Sequence, residues 1–286
     1  MATTDLRPLS LGEVLDRAVT LFVRRFSAIV TAIAVAYVPF AFLQWALLGW
    51  LVPYKARLTR EEWSSFGLDL VLGVLVFALS RTAVAAVVGE AYMSRALSLV
   101  AAYLLAARRF GAQIVVLFVA ALFGCAIVIV AAIPVLVMPL FWTPDSGVLP
   151  IFTVLSIAGT AAAVLGAWLF LGYELATVRL AVRAQNGYAA VVAALRATVF
   201  WRPWRSLLAA GTLLLVQVGG AFIFSGLAQL MPSPALQAFM TFGVGSVAAI
   251  LIEALTVTFL VVYDVDIAVR HEGFDLAVAL DAASEM

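Results

Sequence analysis

Four charged side chains lie where long apolar runs of the sequence would carry them into a membrane. Glu90 and Glu174 each close such a run, 84 residues apart, Glu253 follows 79 residues later within the last run, and Arg81 lies inside the second run. A charge near the bilayer centre costs about 2.5–3.5 kcal/mol on insertion scales, so we expect a partner or water beside it. These four residues form a candidate polar cluster, intramembrane or interfacial.

Arg81 needs a partner from another helix. Nine residues of α-helix turn through about 180°, so Arg81 and Glu90 point to opposite faces of their own helix. Glu253 lies about as deep in its span as Arg81 does, and we therefore predict an Arg81–Glu253 contact. Glu90 and Glu174 lie nearer the interface, where a side chain can reach water, and a structural role is favoured for them. For Arg81 and Glu253, structural pairing and a functional polar cavity both remain open.

The other residue types that carry chemistry do not form a recognisable site. The sequence contains no Gly-rich phosphate loop and no His, Cys and carboxylate cluster with metal-ligand spacing. Asp264 and Asp266 could bind a cation, but exposed carboxylates at a membrane exit are usually solvated. We therefore predict that the protein is not an enzyme and that it carries no cofactor and no metal.

The composition of the chain indicates that much of the protein surface faces lipid and not water. Apolar residues make up 65% of the 286 residues and charged residues 12%, against about 45–50% and 25% in soluble domains. The surplus of apolar surface must face lipid, which predicts an all-α integral membrane protein. A net charge of +1 without a basic stripe argues against a nucleic-acid partner.

Six apolar segments are each long enough to cross a hydrocarbon core of about 30 Å. We predict transmembrane helices at 27–51, 66–90, 112–138, 149–174, 207–230 and 238–263, with a kink at Pro39.

Shorter segments on one side, which we call the elbows, precede the first, third and fifth spans. The first begins with the capping-box pair Ser10 and Glu13 and is strongly amphipathic. We predict that it lies in the membrane interface, and packing on its own bundle is the alternative. Elbow arginines are the candidate contacts to anionic lipid headgroups: Arg24, Arg25, Arg108, Arg109, Arg202 and Arg205.

The chain therefore reads as one polytopic domain over 1–286. An elbow followed by two spans occurs three times, which suggests repeats at 9–91, 92–179 and 180–266 and a short cytoplasmic tail at 267–286. The elbow side carries 13 of the 17 Lys and Arg residues, so the positive-inside rule places both termini in the cytoplasm. Sixteen arginines against one lysine suggest a GC-rich bacterial genome and thus a bacterial inner membrane.

Three short motifs resemble a bacterial family. They are residues 7–17 followed by Arg24-Arg25-Phe26, residues 194–205 before the fifth span, and Tyr263-Asp264-Val265-Asp266 followed by residues 270–275. Together they resemble actinobacterial proteins grouped with the glycerophosphoryl diester phosphodiesterase membrane domain. In that family a separate soluble barrel performs the hydrolysis, and this sequence contains nothing that could supply it. The resemblance therefore implies a stand-alone membrane domain without that activity.

These observations favour a non-enzymatic inner-membrane protein, a scaffold or accessory subunit. Its expected partners are membrane lipids, with other membrane or cytoplasmic proteins as further candidates, and the oligomeric state is left open. The alternative is a transporter or channel for a small solute or lipid that uses Arg81 and Glu253. An intramembrane enzyme acting on lipid is the third hypothesis. The outer halves of the spans carry almost no charge, which disfavours a polar path across the bilayer.

Overall fold

The computed structural model describes residues 7–48, 60–141, 149–183, 185–233, 236–237 and 239–271, and within these ranges the chain is helical and forms no strand. The helices are α1 (Leu11–Arg24), α2 (Phe26–Leu48), α3 (Arg60–Tyr92), α4 (Leu99–Arg108), α5 (Phe110–Phe141), α6 (Leu149–Val182), α7 (Gly187–Leu195), α8 (Pro203–Gln229) and α9 (Gly245–His271). A π-helical segment, Arg196–Trp201, follows α7, and another, Phe239–Val244, precedes α9.

Among the described residues, six helices are long and apolar enough to cross a membrane: α2, α3, α5, α6, α8 and α9 with its π-helical start. The predicted fold class is confirmed. Helix α6 continues past Glu174, where its span was predicted to end, to Val182, and α9 continues past Tyr263 to His271. The charged side chains in these two stretches are paired inside the bundle. Pro39 lies inside α2, as predicted.

The three elbows are the short helices α1, α4 and α7. Each begins with a side-chain cap, from Ser10, Ser98 and Asn186 respectively, whose oxygen accepts a hydrogen bond from a backbone N–H in the first turn. Each then buries small residues against the bundle, namely Val14 and Ala18, Ala102 and Ala106, and Ala190 and Ala194. Small side chains permit close helix packing. The remaining apolar side chains of the elbows are divided, since Leu15 and Phe22 pack partly against the core whereas Val23 and Val100 are exposed.

The capping box of α1 is present as predicted. Ser10 Oγ accepts from the Glu13 N–H at 3.2 Å, and Glu13 Oε2 accepts from the Ser10 N–H at 2.7 Å. That backbone hydrogen bond, together with the Arg7 guanidinium, lowers the pKa of Glu13 from 4.5 to about 2. The Glu13 carboxyl group of the capping box therefore remains ionised at any physiological pH.

The elbows meet at one end of the bundle, which we call the elbow end. There Arg17 donates to the Tyr92 hydroxyl at 3.3 Å, and Arg205 donates to the Leu9 carbonyl at 3.0 Å. The start of α1 and the end of α9 thus lie on the same side. Which side of a membrane that is stays a prediction. The tail predicted at 267–286 lies outside the described residues beyond His271.

Helix α9 is the central helix of the bundle. Residues 256–269 are all buried, and α9 packs against α1, α2, α3, α6 and α8. Its carboxylates therefore face other helices. Around it, the order of one short and two long helices occurs three times, whereas the descent of these units from one repeated sequence stays a prediction.

Candidate functional site

Arg81 joins three helices inside the bundle. Its side chain is 1% exposed. Its Nη1 donates to Glu174 Oε1 of α6 at 2.6 Å, its Nη2 pairs with the other Glu174 oxygen, and its Nε lies 2.5 Å from Glu253 Oε1 of α9. The Phe77 ring covers the guanidinium carbon at 4.6 Å. We call Arg81, Glu174 and Glu253 the deep cluster.

The predicted contact between Arg81 and Glu253 is confirmed. The expectation that Glu174 reaches the interface is wrong. Because α6 continues for eight residues beyond Glu174, about 12 Å of helix separates it from the elbow end, and its charge is neutralised by Arg81. Glu90 is half-buried at the elbow end of α3 and makes no contact with Arg81, as the helical geometry requires.

The deep cluster holds two carboxylates and one guanidinium. With all three ionised its formal charge is −1. Side-chain exposure is 3% for Glu174 and 10% for Glu253, so Glu253 is the more accessible carboxylate. It lies at the wall of a cavity of about 430 Å³, which Glu174 does not line.

A second set of buried charges lies nearer the elbow end. Asp264 is 1% exposed, and its two oxygens pair with Arg179 Nε at 2.7 Å and Arg183 Nε at 2.9 Å. Arg183 also donates to the Asp264 backbone carbonyl at 2.9 Å. Arg179 lies in the last turn of α6 and Arg183 directly follows the helix, one turn further on, so both approach the same carboxylate.

Asp266 likewise pairs with two arginines, and it connects α9 to α8 and to the residues before α1. Its Oδ2 pairs with Arg205 at 2.7 Å and with Arg270 at 3.0 Å, and its Oδ1 accepts from the Leu9 N–H at 2.6 Å. The Leu9 carbonyl accepts in turn from both arginines. We call Asp264, Asp266 and their arginines the elbow-end network. The expectation that these two aspartates are solvated is wrong, because arginines of α6, α8 and α9 cover them.

The elbow arginines divide into two groups. Arg24, Arg25, Arg108 and Arg202 are exposed, and their contact with headgroups stays a prediction. The other two, Arg109 and Arg205, were also predicted to contact headgroups, but their guanidinium groups are used inside the protein. Arg109 donates to the Leu180 carbonyl, and Arg205 donates to Asp266 and Leu9.

Reasoning from the sequence missed the pairing between the arginines and aspartates of the elbow-end network. Their spacing carried a signal, since Arg179 and Arg183, and Asp266 and Arg270, are each four residues apart. Such spacing on one helix face is typical of a charged stripe that faces a partner.

No family model, curated protein or solved structure matches the chain. The fold is that of a multi-pass helical membrane protein. The resemblance to the glycerophosphoryl diester phosphodiesterase membrane domain stays a prediction. Among the described residues, no group of three or more His, Cys, Asp or Glu side chains is placed to hold a metal ion.

Proposed function

We propose that the protein is a non-enzymatic membrane protein that binds lipid through its elbows and serves as a scaffold or accessory subunit for other proteins. The observation that carries the proposal is the outward face of the elbows. Each elbow packs on the bundle with one face and leaves other apolar side chains exposed on its outer face.

Several apolar side chains on and beside the elbows are largely exposed in the described bundle. Val23 of α1 is 66% exposed, Val100 of α4 is 70% exposed, and Phe200 and Trp204 around the third elbow are 78% and 79% exposed. The exposed aromatic pair lies where the π-helical segment turns into α8, and tryptophan is the residue most typical of a membrane–water interface. An interfacial position would remove this apolar surface from water.

The exposed elbow arginines support the same conclusion. Arg24 and Arg25 end the first elbow, Arg108 ends the second, and Arg202 lies between the third elbow and α8. All four therefore lie at the junction of an elbow with a span. A basic residue at an anionic membrane surface contributes about 1 kcal/mol to binding.

The proposed location is a bacterial inner membrane with the elbow end in the cytoplasm. The excess of arginine at that end supports this orientation under the positive-inside rule. A reporter domain fused to the C-terminus should be active only in the cytoplasm. Activity of that reporter on the outer side of the membrane would contradict the orientation.

Lipid binding is tested with two matched variants of the full chain. In one, Arg24, Arg25, Arg108 and Arg202 are all replaced by glutamine, and in the other all four are replaced by lysine. After purification from native membranes, mass spectrometry measures the anionic phospholipid retained per protein. We expect the glutamine variant to lose most of it and the lysine variant to keep it, because lysine preserves the charge. Equal retention by wild type and the glutamine variant would refute the proposal.

A transporter or channel that uses Arg81 and Glu253 is the second candidate, and the cavity at Glu253 is the observation that favours it. Arg81 does not line that cavity, and the buried stretch 256–269 of α9 separates it from the elbow end. A continuous polar path would therefore require movement of α9. A Glu253→Gln variant that folds normally but abolishes a flux measured in proteoliposomes would place this candidate first.

A further inference from the structure

The cavity beside the deep cluster has the dimensions of a ligand site. It lies between α2, α3, α8 and α9, in the half of the bundle away from the elbows. Its volume of about 430 Å³ falls within the range of about 300–1,000 Å³ typical of ligand pockets. Glu253 lies at its inner end, and most of the remaining wall is apolar.

The cavity opens sideways through the bundle. Ala221 and Ser225 of α8 and Ala249 of α9 line it and are also exposed on the bundle surface. The opening therefore lies between two helices that are long and apolar enough to span the membrane. An occupant would enter from the hydrocarbon, so most of its body must be apolar.

The negative charge of the deep cluster determines which chemical group the inner end of a ligand would carry. Arg81 contacts each carboxylate through two nitrogens, Nη1 and Nη2 for Glu174 and Nε and Nη2 for Glu253, so one guanidinium serves two carboxylates. Glu253 is the more exposed of the two and lines the cavity. When all three groups are ionised, one negative charge is left unbalanced, which is costly inside a membrane, and a cation beside Glu253 would offset that cost.

The aromatic side chains beside Glu253 favour a particular kind of cation. Tyr37 and Phe77 line the cavity together with Glu253. Aromatic faces attract ammonium groups, and the attraction grows when the cation is desolvated. A small hydrated metal cation would gain less from such a wall.

We propose that this cavity binds a hydrophobic ammonium ion, with the ammonium group at Glu253 and the apolar body between α8 and α9. A neutral amphiphile of the same shape would fill the space and leave the excess charge of the deep cluster unbalanced. The proposal does not depend on lipid binding by the elbows. It also does not require transport, since the ligand could enter and leave through the same lateral opening.

The test compares dodecylammonium with dodecanol, which have the same chain length and differ in charge. Native mass spectrometry of the purified full chain in a non-ionic detergent measures the affinity of each. Wild type should prefer the amine by about tenfold or more. The Glu253→Gln variant should lose that preference, because its deep cluster is neutral. The matched Glu90→Gln variant should retain it, because Glu90 does not contact Arg81.

A second variant tests the cavity without touching the charges. Ala248 lines the cavity, and Ala248→Leu should weaken binding of both probes by filling the space. Equal affinity of wild type for amine and alcohol would overturn the proposal, as would a preference that survives Glu253→Gln. Displacement of the amine by sodium chloride, at concentrations where choline chloride has no effect, would assign the site to an inorganic cation and also overturn it. If Glu253→Gln fails to fold, undiminished amine binding by Ala248→Leu would be the contradicting result.

Discussion

Replacing Asp266 with asparagine would release the first elbow from the bundle. Asp266 accepts from the Leu9 N–H and neutralises Arg205 and Arg270, and both arginines also hold the Leu9 carbonyl. Asparagine has the same shape but carries no charge, and its NH₂ group would face a guanidinium. The two residues before α1 would lose their anchor, while Val14 and Ala18 would remain packed.

The size of the effect follows from the burial of these charges. Removing one partner of a buried ion pair costs about 3–5 kcal/mol. Arg205 and Arg270 keep 15% and 18% of their side-chain surface exposed, so water relieves part of the stranded charge. We therefore expect the opening free energy of α1 to fall by about 2–3 kcal/mol. At about 1.4 kcal/mol for each factor of ten, amide exchange in α1 would be about 30- to 150-fold faster.

Hydrogen exchange measured by mass spectrometry on the purified protein provides the assay, since it resolves local opening. Peptides covering α1 should exchange faster in Asp266→Asn, and peptides covering α5 should not change. Asp16 is exposed on α1, so Asp16→Asn is the matched control and should have no effect. Unchanged exchange in α1 of a folded Asp266→Asn variant would refute the role of Asp266, and equal acceleration in all helices would show a global effect instead.

Two pairs of substitutions test the packing of the bundle. Arg81→Gln leaves two carboxylates without their shared cation, whereas in Glu253→Gln the Arg81 guanidinium keeps Glu174 as its partner. We therefore expect Arg81→Gln to lower the thermal unfolding temperature in detergent more than Glu253→Gln does. A larger decrease in Glu253→Gln would contradict this. Gly187→Ala would place Cβ 2.5 Å from the Ala112 carbonyl oxygen and should destabilise by about 1–3 kcal/mol. Gly211→Ala meets nothing within 4 Å and should be neutral or stabilising in the same unfolding assay.

The part of the site that could be predicted came from helix geometry and depth. The 3.6-residue period excluded pairing between Arg81 and Glu90, and counting residues along two spans placed Glu253 level with Arg81. Both arguments use only distances along a helix, which a sequence provides directly. The six spans followed from apolar composition for the same reason.

The missed residues share one physical cause. A charge was taken to mark the point where a span leaves the membrane, so the predicted spans end at Glu174 and at Tyr263. Charges that are paired across helices do not need to leave, and which helices are neighbours is not contained in the spacing along one helix. Only the packing of α9 at the centre brought Arg179 and Asp264 together.

The most direct test uses the native cysteine. Cys125 is exposed on α5, within a segment apolar enough to span a membrane. If hydrocarbon surrounds this surface, a charged maleimide should not label Cys125 in intact membranes and should label it after denaturation in SDS. An Ala96→Cys, Cys125→Ser variant, with its thiol in the exposed loop between α3 and α4, should be labelled in opened membrane vesicles without denaturation. Labelling of Cys125 in intact membranes as fast as in that variant would contradict the membrane-embedded bundle.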